Sequence, residues 1–135
     1  MKDPKTISKP RVQRKSVVKG EAIKPPADLN APKNLAGEIV KRLDEKKAVN
    51  PVVLDVGGKT IVADYFVVAS ARSTTAVRSL AEHVMEKLQK ENEIRPLRRE
   101  GVAEGRWAAL DYGGVIVHIF HEEARSVYQL EKLWE

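Results

Sequence analysis

Cysteine is absent from the sequence, which excludes disulfides and thiolate metal sites and is compatible with a reducing cytoplasm. No apolar run approaches the roughly eighteen residues that a membrane helix needs, and no apolar core follows the charged N-terminus as in a secretory signal. The protein is therefore expected to be soluble and cytoplasmic, with no membrane partner. The glycine patterns of a P-loop or a dinucleotide fingerprint are also missing, and no internal repeat is visible. An organelle transit peptide is disfavoured because Pro4, Pro10, Pro25, Pro26 and Pro32 would repeatedly break the amphipathic helix it needs.

What is present is unevenly distributed. Nine of the 24 Lys and Arg fall in residues 1–33 against Asp3, Glu21 and Asp28, leaving 15 basic and 16 acidic residues in the remainder. The overall charge of +5 thus belongs to the N-terminal stretch. With five prolines, few large apolar residues and self-repelling charge, residues 1–33 are expected to form a disordered basic arm. The other hundred residues suffice for one domain with a real core and are too few for two.

Asn34 is a plausible N-cap for a helix to about Lys47, because Ala36, Ile39, Val40 and Leu43 recur at intervals of three and four. Asn50-Pro51 is expected to end that segment. Val52–Val56 reads as a strand, Gly57-Gly58-Lys59 as a turn, and Ile61–Ser70 as a longer strand interrupted by Asp64. Val77, Leu80, Ala81, Val84, Met85 and Leu88 predict a second helix capped by Ser73, Thr74 or Thr75. A short strand near Ile94–Arg98 contains Pro96, which suits an edge. Arg106–Asp111 and Val115–Phe120 flank Tyr112-Gly113-Gly114 as an antiparallel hairpin, and acids at Glu122 and Glu123 open a last helix. The order predicts a single-domain α/β sandwich, a mixed sheet of about five strands flanked by helices.

On the hairpin, alternation places Trp107, Ala109 and Asp111 on one strand face, and Ile116, His118 and Phe120 oppose Val115, Val117 and Ile119 on the other strand. No strand face is wholly polar, so something must cover both sides. Residue chemistry alone reads Trp107 as a packed core tryptophan; the rival reading is an exposed anchor beside Asp64, Glu104, Arg106 and Asp111. His118 and His121 would point to opposite faces of a strand and lack a third ligand, so no metal is expected. No nucleophile or base adjoins them, and no catalytic residue is assigned. Ser73 and Thr74 could contact a phosphate at a helix start, yet caps are their simpler role. Asp55, Asp64 and Asp111 are read as standing singly, short of the paired carboxylates that metal-assisted nucleotidyl transfer requires. Arg95, Arg98 and Arg99 form a small basic group near Glu91, Glu93 and Glu100, and its use against RNA is weakly supported.

Four stretches taken together carry a resemblance: Ala63-Asp64-Tyr65-Phe66-Val67-Val68-Ala69-Ser70, Glu104-Gly105-Arg106-Trp107, Leu110-Asp111-Tyr112-Gly113, and Val117-His118-Ile119-Phe120-His121-Glu122-Glu123 with Tyr128 and Leu133-Trp134. Over about residues 34–134 the chain resembles the ribosomal silencing factor family, also called Iojap-like proteins. The resemblance implies a nucleotidyltransferase-like fold without the active site, and no cofactor. It implies binding to the large ribosomal subunit through its ribosomal protein number fourteen, with steric blocking of subunit joining and repression of translation. It also implies pairing into a homodimer in some members. It favours Trp107 as an exposed anchor, with Asp64, Glu104, Asp111, Glu122 and Glu123 as acceptors for partner Lys or Arg and Arg106 on the rim. Ribosomal RNA is a further expected contact for the basic arm. Two rivals are a nucleotide-binding or nucleotidyl-transferring enzyme, suggested by fold analogy, and a general RNA-binding module, suggested by the arm.

Overall fold

A computed structural model describes residues 28–128 and Lys132. Most of the expected arm, residues 1–27, and Leu133 and Trp134 lie outside the described residues.

The first helix, α1 (Pro32–Glu45), begins two residues before the expected cap. Proline is suited to the first helical turn because its φ is already helical and its missing N–H would have no partner there. Asn34 instead donates its side-chain amide to the carbonyl of Asp28 at 3.0 Å, tying down the turn before the helix. Strand β1 (Val49–Asp55) contains Asn50-Pro51 rather than following it. The register shifts between Val49 and Val52, and Asn50 takes a φ of 47°, so this pair forms a bulge. A proline is tolerated there because β1 is an edge strand.

Strand β2 (Tyr65–Ala71) is shorter than Ile61–Ser70, the span expected from its apolar residues. Ile61 and Val62 are fully and largely exposed in the connecting loop. Pairing begins only where Asp64 is held between neighbours: its carbonyl accepts from Val56 N–H at 2.9 Å and its N–H donates to Gly114 at 2.8 Å. Helix α2 (Thr74–Asn92) follows, capped by Ser73, whose Oγ accepts from Ala76 N–H at 3.0 Å. Val77, Leu80, Ala81, Val84 and Leu88 are its buried stripe, each contributing about 1.5–3 kcal/mol at most on burial for the larger side chains. Strand β3 (Arg98–Glu100) starts after Pro96 and is exposed throughout. Strands β4 (Trp107–Asp111) and β5 (Val115–His121) form the hairpin, and α3 (Glu122–Tyr128) follows directly.

The sheet order is β1-β2-β5-β4-β3, with β2 and β5 parallel and the other pairs antiparallel. Helices α1 and α2 cover one face, burying Val53, Val67, Ala69, Leu110, Val117 and Ile119. The second face presents Leu54, Phe66, Val68, Ile116, Phe120 and Trp107, with Ala124 of α3 packed among them. Among the described residues α3 is the helix on that side, and Val52, Trp107, Ala109 and Ile116 stay partly exposed. One side of the sheet is thus closed by two long helices; on the other, Leu54, Phe66, Val68 and Phe120 are buried while Val52, Trp107, Ala109 and Ile116 are partly exposed.

Candidate functional site

This second face is organised around Trp107. In the β4–β5 register Trp107 stands opposite Phe120, Ala109 opposite His118 and Asp111 opposite Ile116. The indole packs on Phe120 with ring centroids 4.8 Å apart and donates its N–H to Nδ1 of His118 at 3.0 Å. Phe66 meets the imidazole edge-on at 4.9 Å and 71°. His118 is 9% exposed. Burial pushes its pKa down to about 4, so the ring is neutral at neutral pH. An indole N–H can only donate, so Nδ1 is the bare acceptor and the proton sits on Nε2. That Nε2 is buried with no hydrogen-bond partner among the described residues.

The segment leading into Trp107 is held against the rest of the domain. Gly101 and Gly105 take φ values of 73° and 74°. A Cβ at Gly105 would lie 2.4 Å from the carbonyl oxygen of Thr74, so only glycine lets the loop lie on the start of α2. Arg78 donates to the carbonyl of Ala103 at 3.0 Å, and His121 N–H donates to Arg106 at 2.9 Å. Glu104 and Arg106 are therefore exposed side chains on a fixed loop.

The expected partner-binding residues fall into two groups. Trp107, Glu104 and Arg106 share one end of the sheet with Glu122 and Glu123, because Arg106 bonds to His121 where β5 ends and α3 begins. Arg72 approaches Glu122 at 3.6 Å, which leaves Glu104 and Glu123 as the less neutralised acids there. Asp64 and Asp111 lie at the opposite end. Asp111 is the last residue of β4, which begins at Trp107, about 14 Å away at the usual strand rise. Asp111 is also engaged locally: one carboxylate oxygen accepts from Gly113 N–H at 2.8 Å and the other is 3.5 Å from Arg98. Asp64 does not border the indole as expected; it precedes β2, whose first residue pairs with Val115.

Asp55 and Asp64 do not stand singly. A Cβ built on Gly57 would lie 3.6 Å from Oδ1 of Asp55 and 3.4 Å from Oδ1 of Asp64, so the β1–β2 loop brings the two carboxylates to one glycine. They line an open groove with Ala31, Pro32, Lys33 and Tyr65. Burial, with Asp55 and Asp64 beside it, raises the Tyr65 hydroxyl above its usual range. No group of three or more His, Asp or Glu side chains that could hold a metal occurs among the described residues. Near the suspected phosphate loop, Ser73 serves as the helix cap, and Ser70 is buried and accepts from Arg125 at 2.7 Å.

Sequence reasoning also missed Arg42, a buried guanidinium that ion-pairs with Glu38 at 2.9 Å, Glu45 at 3.1 Å and Glu91 at 2.5 Å. Its helical spacing to Glu38 and Glu45 was visible; the partner on α2 requires the tertiary fold. Burial opposes its charge, and Glu91, Glu38 and Glu45 more than restore it.

Comparison with known proteins supplies a functional frame. The sequence profile of the family described as "Ribosomal silencing factor during starvation" matches residues 29–135. "Ribosomal silencing factor RsfS" of Bacillus subtilis is 41% identical over 91 residues, 67% of this chain and 76% of that protein. "Mitochondrial assembly of ribosomal large subunit protein 1" of Mus musculus is 30% identical over 112 residues, 81% of this chain and 49% of that protein. A crystal structure of a Chromobacterium violaceum protein superposes with a TM-score of 0.71 at 30% identity, covering 80% of this chain and 87% of the other. Profile, identity and superposition agree, and this chain belongs to the ribosomal silencing factor family.

Proposed function

We propose that this protein represses translation by binding the large ribosomal subunit through its ribosomal protein number fourteen and sterically blocking the small subunit. Trp107 is the anchor, on the second sheet face, with Glu104 and Glu123 as acceptors for Lys or Arg of the partner and Glu122 and Arg106 on the rim. The observation that carries this reading is the partly buried, hydrogen-bonded indole at the start of β4, preceded by the exposed Glu104 and Arg106 on a fixed loop, an aromatic with a charged rim as in an interface hot spot. The name of the mouse relative points to the large subunit, and the names of the bacterial relatives point to silencing. Asp64 and Asp111, at the far end, would serve a second contact of the same partner or a homodimer. The basic arm adds phosphate contacts on ribosomal RNA.

The test is sedimentation of separated subunits with wild type or Trp107→Ala. Wild type should co-sediment with the large subunit and suppress joining, and Trp107→Ala should lose both, with a binding cost of about 2 kcal/mol or more. Wild type remaining at the top of the gradient would remove the proposal. A nucleotide-handling reading has one observation in its favour, the convergence of Asp55 and Asp64. Magnesium-dependent nucleotide turnover lost in Asp64→Asn would support it.

A further inference from the structure

We infer that His118 is the positioning residue for the Trp107 anchor: its bare Nδ1 takes the indole N–H inside the protein, so the partner meets an apolar ring surface and need supply no hydrogen-bond acceptor. This deepens the proposed function and rests on Trp107 being the anchor.

The geometry is over-determined for a purely structural histidine. His118 is the diagonal cross-strand neighbour of Trp107, within reach of a long side chain, and the bond between them is 3.0 Å. Its ring is fixed edge-on by Phe66 at 4.9 Å and lies nearly parallel to Phe120, which also stacks on the indole at 4.8 Å. Four aromatic rings therefore fix one another, and one bond selects the orientation of the indole within that cluster.

Stability alone does not explain a histidine here. Its Nε2–H is buried with no partner among the described residues, so the histidine brings one orphan donor while it satisfies another, the indole N–H that leucine would leave unpaired. What the histidine adds is an acceptor aimed at the single polar atom of Trp107. An indole whose N–H is already engaged can enter a pocket of apolar carbon and Lys or Arg stems without leaving a buried donor unpaired. Partner chemistry follows from that: an apolar or cationic pocket, with no carbonyl or carboxylate placed to accept from the indole.

The test compares wild type, His118→Leu, His118→Gln and Trp107→Ala as full chains, with purified large ribosomal subunits as the probe. Hydrogen exchange of the indole N–H is followed by NMR in the free protein, the Trp107 signal being the one that disappears in Trp107→Phe. His118→Leu should leave the unfolding midpoint near the wild-type value, since one orphan donor is exchanged for another, lose indole protection, and bind subunits roughly five- to tenfold more weakly, as for removal of one hydrogen bond. His118→Gln, which restores an acceptor, should recover protection and affinity together. In a Trp107→Phe background, His118→Leu should have no further effect on affinity. Wild-type affinity in His118→Leu with an unprotected indole overturns the inference while leaving the anchor intact. Wild-type affinity in Trp107→Ala overturns the anchor and the inference with it. Should His118→Leu not fold, His118→Gln decides alone, because protection and affinity moving separately in that variant also overturns the inference.

Discussion

His118 links one side chain to the acid behaviour of the whole domain. Its folded pKa of about 4 lies below the unfolded value of about 6.5, so the unfolded chain binds the extra proton between those limits. The stability contributed by a neutral His118 is complete above the upper value and falls away as pH drops toward the lower one, a total of about 3 kcal/mol. Urea unfolding at pH 7 and pH 4.5 should therefore show a larger drop for wild type than for His118→Leu. The charged groups on the same sheet face, Glu100 and Asp111 with Arg98 and Arg125, are common to both proteins and cancel in that comparison. Glu45 acts in a lower range: burial raises its carboxyl, His83 and Arg42 more than offset this, and its contribution disappears only as pH falls through that depressed value. Equal pH dependence in the two proteins would show that His118 takes up its proton over the same range folded and unfolded.

At the scale of elements, the loop from Gly101 to Arg106 depends on its glycines. Gly105→Ala would place a methyl 2.4 Å from Thr74 O at a φ of 74°. The loop must lift from α2, costing about 2 kcal/mol by strain and overpacking, and displacing Glu104 and Arg106. A fall in the urea midpoint together with weaker subunit binding is expected, and an unchanged midpoint would refute the close packing. Sequence patterning reached the helices and the hairpin because their signals are local: the α2 stripe repeats every three to four residues, and Gly113 marks the turn with a φ of 90°. It misjudged Asn50-Pro51 because a break and an edge bulge share the same residues, and only pairing partners distinguish them. Ile61 and Val62 read as strand by composition, yet no neighbour buries them. Trp107 was legible as a candidate; its separation from Asp64 and Asp111 was not, because that depends on which strand ends meet.

The whole sequence joins a near-neutral stretch, from residue 28 onward, to a cationic N-terminal one. Residues 1–27 hold eight of the Lys and Arg, and the family profile begins at residue 29. Removing residues 1–33, the expected arm, would cut into α1, which starts at Pro32; removing residues 1–27 spares it. The shorter deletion should weaken large-subunit binding at low salt and lower the log-log salt slope by roughly 0.7–0.9 for each phosphate no longer neutralised, leaving preference for the large subunit intact. Affinity measured from about 50 to 200 mM salt reads both quantities. An unchanged slope would assign the arm no role against RNA.

Strand β5 lies in the middle of the sheet, yet among the described strands it is the last in chain order and so leaves the ribosome after the other four. Until residues 115–121 emerge, β1–β2 and β3–β4 are two unconnected pairs, and neither His118 nor Phe120 exists to orient Trp107. Long-range parallel pairing of β2 with β5 then closes the sheet in one late step. Timing follows from topology: the face around Trp107 is complete only once residues 115–121 have emerged, so a product truncated before them carries Trp107 without the side chains that orient it.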